Sequence, residues 1–253
     1  MKTSVLGTFA ASAVLVIGVS ACGGTSAPGG DAASSGSSAS AGPSAETTTP
    51  SPTPTPDKAY TSEELAGVVR EVRDSADRRL TPVPGDELAS TVQQSKDMMS
   101  SIDVEPAACK ELAASSTVPS MDGAAIAMGL STDASSGMVT ALSLMSGLDQ
   151  AALAKFSDSS EHLEKCSNMV MTVAGVKVAV AITRIDGGVS GVEGTTAFRT
   201  ETTLPNGQVQ SVTTAQAVHH GVVLTAVASG GTDGAGAQEQ AGSLLDSAAA
   251  LIK

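Results

Sequence analysis

Apolar and polar positions change rhythm several times along this chain, and each rhythm predicts an element. After Lys2, an apolar run from Val5 to Val19 is too short to anchor stably across a bilayer and has the form of a leader peptide. Residues 23–57 carry no apolar rhythm and are almost all Gly, Ser, Ala, Thr and Pro. Helical spacing begins with Leu65, Val68, Val69 and Val72, preceded by Thr61-Ser62-Glu63-Glu64. A helix is expected to start there, with acids over its positive end, and to run to about Arg79. Thr81-Pro82-Val83-Pro84-Gly85 breaks it. Asp86 is expected to cap a second helix carrying Leu88, Val92 and Met99, and Glu105-Pro106 to open a short one holding Cys109 and Leu112.

The rhythm then shortens. Ala124 to Leu130 and Met138 to Met145 are short apolar runs separated by a turn-rich stretch, and they read as strands. Asp149 to Cys166 reads as an amphipathic helix with Leu153, Phe156 and Leu163 inward. Met169 to Val173 and Val176 to Ile185 read as strands around Gly175. Thr195 to Thr203 and Gln208 to Val218 flank Leu204-Pro205-Asn206-Gly207, where Asn-Gly is a hairpin signal. His220-Gly221 turns the chain into Val222 to Ala228. A Gly-rich loop, Gly230 to Gly236, leads to a closing helix with Leu244, Leu245, Leu251 and Ile252. Consecutive hairpins with helices in groups predict an α+β fold: a curved antiparallel sheet with helices packed mainly on one face, in a single domain over residues 58–253.

The leader ends in Val19-Ser20-Ala21-Cys22, followed by two glycines. This resembles the lipobox of bacterial lipoproteins. The resemblance implies cleavage after Ala21, so that residues 1–21 are the signal peptide, and diacylglyceryl and palmitate modification of Cys22. The alternative is an ordinary secretory leader with an accidental cysteine. Two acyl chains suffice for durable anchoring where one is marginal. The expected address is the extracytoplasmic face of the cell membrane. Residues 22–57 then form a tether, flexible to Ser44 and stiffened from Thr49 to Pro56 by alternating Pro with Thr or Ser. Such a stretch buries too little apolar surface to offset its chain entropy. The same composition suits O-glycosylation.

Composition narrows the function classes. The formal net charge of −12 gives no basic stripe for a phosphate backbone, so no nucleic acid partner is expected. Arg70, Arg73, Arg78 and Arg79 are interleaved with Glu71, Asp74 and Asp77 and read as a solvated helix face. Three Phe, one Tyr and no Trp leave little for stacking on sugars or bases. The core must therefore be aliphatic, with Met as filler. The Met set, Met98, Met99, Met121, Met128, Met138, Met145, Met169 and Met171, suits core filling better than a copper(I) site, and a Met-lined apolar cavity is a third reading.

With Cys22 blocked by lipid, Cys109 and Cys166 form an even pair in an oxidising compartment, and a disulfide is expected. A reactive or metal-binding pair is the alternative, but His162 alone lies within helical reach of Cys166 and zinc wants about four ligands. Catalytic patterns are missing. Gly187-Gly188-Val189-Ser190-Gly191 fails the nucleophile-elbow spacing and reads as a turn. No Ser stands three places before a Lys. His219 and His220 are adjacent at a strand end, so their side chains are expected to diverge, and His162, beside Glu161 and Glu164, reads as a surface residue. The glycines at 230, 231, 234 and 236 fit neither nucleotide fingerprint. No cofactor, no metal and no enzymatic activity are expected.

Together the lipobox, the tether and the Pro106-Ala107-Ala108-Cys109 segment resemble surface lipoproteins of high-GC Gram-positive actinobacteria. From residue 61 onward the chain resembles the PknH-like extracellular sensor domains of mycobacterial serine/threonine kinases and related lipoprotein domains. The shared features are a helical start, a Pro-x-x-Cys helix, a later Cys, successive hairpins and a closing helix. The resemblance implies an α+β domain with a ligand-sensing cleft. The kinase domain holds two disulfides, whereas this chain can make one. No site residue transfers. Four functions rank in order: a ligand-binding or sensor-like module, a lipid or glycolipid carrier, a protein-interaction lipoprotein of the envelope, and a hydrolase with a scattered site. Beyond the membrane, the candidate partners are a small apolar ligand or an envelope protein.

Overall fold

A computed structural model describes residues 58–110, 123–157, 165–230 and 234–253. The leader, Cys22 and the tether lie outside the described residues, as do Leu112, Met121, His162, Leu163 and Gly231.

The chain opens with α1 (Ser62–Glu71), whose start is the one the sequence predicts. Thr61 and Glu64 form a capping box: the Glu64 amide donates to Thr61 Oγ1 at 3.3 Å and the Thr61 amide donates to Glu64 Oε2 at 2.8 Å. That amide, and then Lys58, hold the Glu64 carboxyl down at about 2. The helix stops short of Arg79, at Glu71. Val72 turns extended, and Asp74 accepts the amides of Ala76 and Arg78, giving the backbone a local alternative to helix. Arg73 and Arg79 bridge across the resulting loop, so of the four arginines only Arg70 stands on the helix. The solvated helix face expected of them is replaced by a structured turn.

Next come β1 (Thr81–Pro82) and α2 (Gly85–Ser101). Pro84, not Asp86, occupies the cap position of α2, and no side chain caps it; Asp86 falls in the first turn. Strand β2 (Asp103–Glu105) ends at a cis Glu105–Pro106 bond. Glu105 therefore closes a strand instead of opening a helix, and helical backbone begins at residue 108.

Then follow β3 (Ala125–Asp133), β4 (Met138–Ser146), α3 (Gln150–Ser157), β5 (Asn168–Val173), β6 (Val176–Arg184), β7 (Thr196–Thr203), β8 (Val209–His219), β9 (Val222–Ser229) and α4 (Gly234–Ala249). Ala174-Gly175 and His220-Gly221 are two-residue turns with positive φ at both positions, the conformation that matches the twist of the flanking strands. At the β7–β8 connection Pro205 takes the second turn position. The Gly207 amide donates to the Leu204 carbonyl at 2.9 Å, and Gly207 alone has positive φ.

All strands join one antiparallel sheet in the order β1-β3-β4-β9-β8-β7-β6-β5-β2. The fold is α+β, as expected. Register assigns every strand residue to a face. One face carries Leu142, Leu144, Ala215, Leu224 and Ala226, buried under α1 and α4 through Leu65, Val69, Leu244 and Leu245. Each such leucine contributes about 2 kcal/mol by its removal from water. The other face carries a smaller core: Val104, Met169, Met171, Val180, Ile182 and Phe198, covered by Met99, Ile102 and the Cys109–Cys166 pair.

Candidate functional site

Helices α1 and α4 lie over the β3, β4, β9 and β8 half of their face. The sheet continues past them through β7, β6, β5 and β2, and there its upper surface is a shallow groove of about 330 Å³. Register builds the groove floor. One row of directly opposed residues runs Glu105, Val170, Ala179, Thr203, Val209 across five strands. The next row runs Asn168, Ala181, Glu201, Ser211. The floor is made of small apolar side chains, Val170, Ala179 and Ala181, and all three line the groove. Carboxylates stand at its edges: Glu105 at the β2 end, in a long 3.9 Å pair with exposed Lys177, and Glu201 toward the helices. Val209, 58 % exposed, forms an apolar rim. A flat apolar floor with acceptors at its margins suits a ligand with an apolar face and hydrogen-bond donors on its edge.

Residues singled out from the sequence lie elsewhere. Cys109 and Cys166 are joined by a disulfide, Cα–Cα 5.7 Å, deep in the smaller core on the opposite face. Met99, Met169 and Met171 pack beside it, with Met98 against them, so these methionines fill space where aromatics are scarce. Among the described residues no group of three or more His, Cys, Asp or Glu is placed to hold a metal. His219 and His220 do not diverge. Their rings meet edge-on at 4.3 Å, because the left-handed backbone of His220 swings its side chain back over its neighbour. Burial, and then the His220 charge, lower the His219 pKa. The Gly187–Gly191 segment is a loop strapped to α4: Asp246 accepts from Ser190 Oγ at 2.6 Å and from the Gly191 amide at 2.8 Å.

Two features escaped the sequence reading. The first is Asp74, 4 % exposed and accepting from Arg78 Nε at 2.7 Å and Ser131 Oγ at 3.1 Å. Burial pushes its carboxyl up, but the hydrogen bonds from Arg78, Ser131 and Ala76 outweigh burial and hold it below the ordinary range. Arg78 also pairs with Asp133 at 3.0 Å. Asp133 sits well below the usual carboxylate range, through Ser135 first and Arg78 second. This network ties the loop after α1 to β3. The second is Arg199, the next residue along β7 on the groove face after Glu201, at the border of the helix-covered half. No motif marks either one: the burial of Asp74 depends on Ser131 from β3, and the place of Arg199 depends on its register against β8.

No family model matches the chain, and no curated protein matches it. Among solved structures the chain resembles the extracellular domain of PknH from Mycobacterium tuberculosis, with 14% identity, TM-score 0.45, and coverage of 75% of this chain and 92% of that one. It also resembles the Rv0999 ortholog from Mycobacterium smegmatis, with 13% identity, TM-score 0.38, and coverage of 60% and 76%.

Proposed function

We propose that this chain is a lipoprotein anchored through Cys22 on the extracytoplasmic face of the membrane, and that residues 58–253 form a non-catalytic, ligand-binding or sensor-like module. The Val19-Ser20-Ala21-Cys22 motif supports the address, and a disulfide suits an oxidising compartment. The observation that carries the binding reading is the groove that the described residues leave uncovered, with its Val170–Ala179–Ala181 floor and the carboxylates of Glu105 and Glu201. A sheet face left open costs apolar exposure that a bound ligand would remove from water. A lipid carrier encloses its cargo, and this groove is open with charged margins, so the sensor-like reading is preferred.

Native mass spectrometry of the full chain, extracted gently from its own host's membranes, tests the proposal. The expected spectrum shows a mature protein beginning at Cys22, heavier by its acyl groups. It also shows a discrete adduct that is lost on denaturation and absent from Ala181→Trp, whose indole fills the groove. An apo mass in the native protein, or an adduct that survives Ala181→Trp, refutes the groove as the ligand site. The second reading is a protein interface, favoured by exposed Val209 on the rim. It would show as crosslinks from the groove rim to an envelope protein.

A further inference from the structure

Among the described residues two buried side-chain atoms lack a hydrogen-bond partner: Arg199 Nε and Thr213 Oγ1. They are not scattered. Arg199 on β7 and Thr213 on β8 are directly opposed in the sheet and project on the same face, which places their Cβ atoms roughly 5 Å apart. Thr213 is completely buried. Arg199 is half-buried and makes no ion pair with any other described residue. Its guanidinium occupies the space that a side chain would need at Gly234, the first residue of α4: a Cβ there would lie 2.6 Å from Cζ and 3.0 Å from one terminal nitrogen. The fold therefore reserves room for the arginine, and among the described residues its charge meets no counter-ion.

Buried polar groups are nearly always satisfied, and a missing partner points to a water or an ion. Two neighbouring orphans point to one shared partner. Arginine offers only donors, and the threonine hydroxyl can donate, so that partner is an acceptor. The uncompensated guanidinium makes a negative acceptor far better than a neutral one. With two donors beside a wholly buried threonine, a tetrahedral oxyanion would leave most of its oxygens unpaired, whereas a spherical ion would not. We propose that Arg199 and Thr213 hold a small monovalent anion of halide size beneath the first turn of α4. The site is separate from the groove ligand and stands whether or not that reading holds. An anion there neutralises the half-buried Arg199 guanidinium at the seam between the helix-covered and open halves of the sheet.

Chloride is the probe. The ³⁵Cl line width of a chloride solution is followed on titrating in the full chain, with thermal unfolding in chloride against gluconate at constant ionic strength as the second readout. The native chain is expected to broaden the line, to release chloride to competing bromide, and to unfold at higher temperature in chloride. Arg199→Gln should weaken chloride at least about tenfold, the worth of one charged hydrogen bond. Should that variant fail to fold, Thr213→Val keeps the shape and removes an unpartnered hydroxyl, so it is expected to fold while losing chloride affinity. Gly234→Ala, which displaces the guanidinium, should do the same. The proposal is overturned by an unbroadened line in the native chain, which is what a bound water alone would give. It is equally overturned by chloride binding that survives Thr213→Val and Gly234→Ala unchanged.

Discussion

Replacing glycine by alanine inside a helix ordinarily stabilises a protein by up to about 1 kcal/mol, because alanine has less backbone entropy to lose. The structure predicts that the same change has opposite signs in α1 and α4. Gly67 lies in α1 with nothing within 4 Å of where a Cβ would be. Gly67→Ala should therefore raise stability by roughly 0.5–1 kcal/mol. Gly242 lies in α4, fully surrounded, and a Cβ there would sit 2.8 Å from the Val189 carbonyl carbon and closer still to its oxygen. A backbone carbonyl cannot swing aside as a flexible side chain can, so the Gly187–Gly191 loop must retreat as a unit. Two hydrogen bonds to Asp246 are then lost or stretched, from Ser190 Oγ and the Gly191 amide. These are exposed bonds to a carboxylate and are worth about 1 kcal/mol each. Val189 and Val192, half-buried against the main core, loosen at a further cost of about 1 kcal/mol. Set against the helix gain of about 1 kcal/mol, Gly242→Ala should destabilise by about 2 kcal/mol. Urea unfolding followed by circular dichroism measures both variants, and their midpoints should move in opposite directions from the native value. A Gly242→Ala protein as stable as the native one would show that the loop is not seated on α4 as described.

The Cys109–Cys166 disulfide joins residues 57 apart, so the chain-entropy model assigns it about 4 kcal/mol. Unfolding with and without reductant should differ by about that amount, and coincident curves would mean that the bond does not constrain the unfolded chain. Asp74 predicts an acid limb. Its folded pKa is lowered, so its contribution is present above the unfolded carboxylate value of about 3.9 and is lost as pH falls through the lower folded value. Asp74→Asn should flatten that limb and lower stability near neutrality by about 3 kcal/mol, since it leaves Arg78 with less of its pairing. An unchanged stability–pH profile in Asp74→Asn would refute this account of the network.

How far the sequence reaches is clearest in the hairpins. Ala174-Gly175, Pro205-Asn206-Gly207 and His220-Gly221 each fold the chain back through contacts a few residues long, so the strands from Asn168 to Ser229 are legible from turn chemistry and apolar runs alone. The start of α1 is legible for the same reason, as Thr61 and Glu64 satisfy each other within one turn. Its end is not. The apolar spacing runs through Val72 and hides the break: Asp74 accepts the amides of Ala76 and Arg78 in place of a helical turn, and its burial against Ser131, 57 residues away, has no local signal. The diverging histidines fail similarly: strand alternation separates neighbours only while both remain in the strand, and His220 has already turned.

By itself the sequence determines what depends on near neighbours: the apolar-poor composition of residues 23–57, the α+β class and the hairpins. Tertiary structure alone decides what depends on register between distant strands. It places β4 beside β9 and β2 beside β5, and so sets Glu105 in line with Val170, Ala179, Thr203 and Val209 to floor a groove. It also sets Arg199 opposite Thr213 and under Gly234. Local periodicity fixes which residues of a strand share a face, but not which strands are neighbours, and a binding surface built across five strands exists only once that order is made.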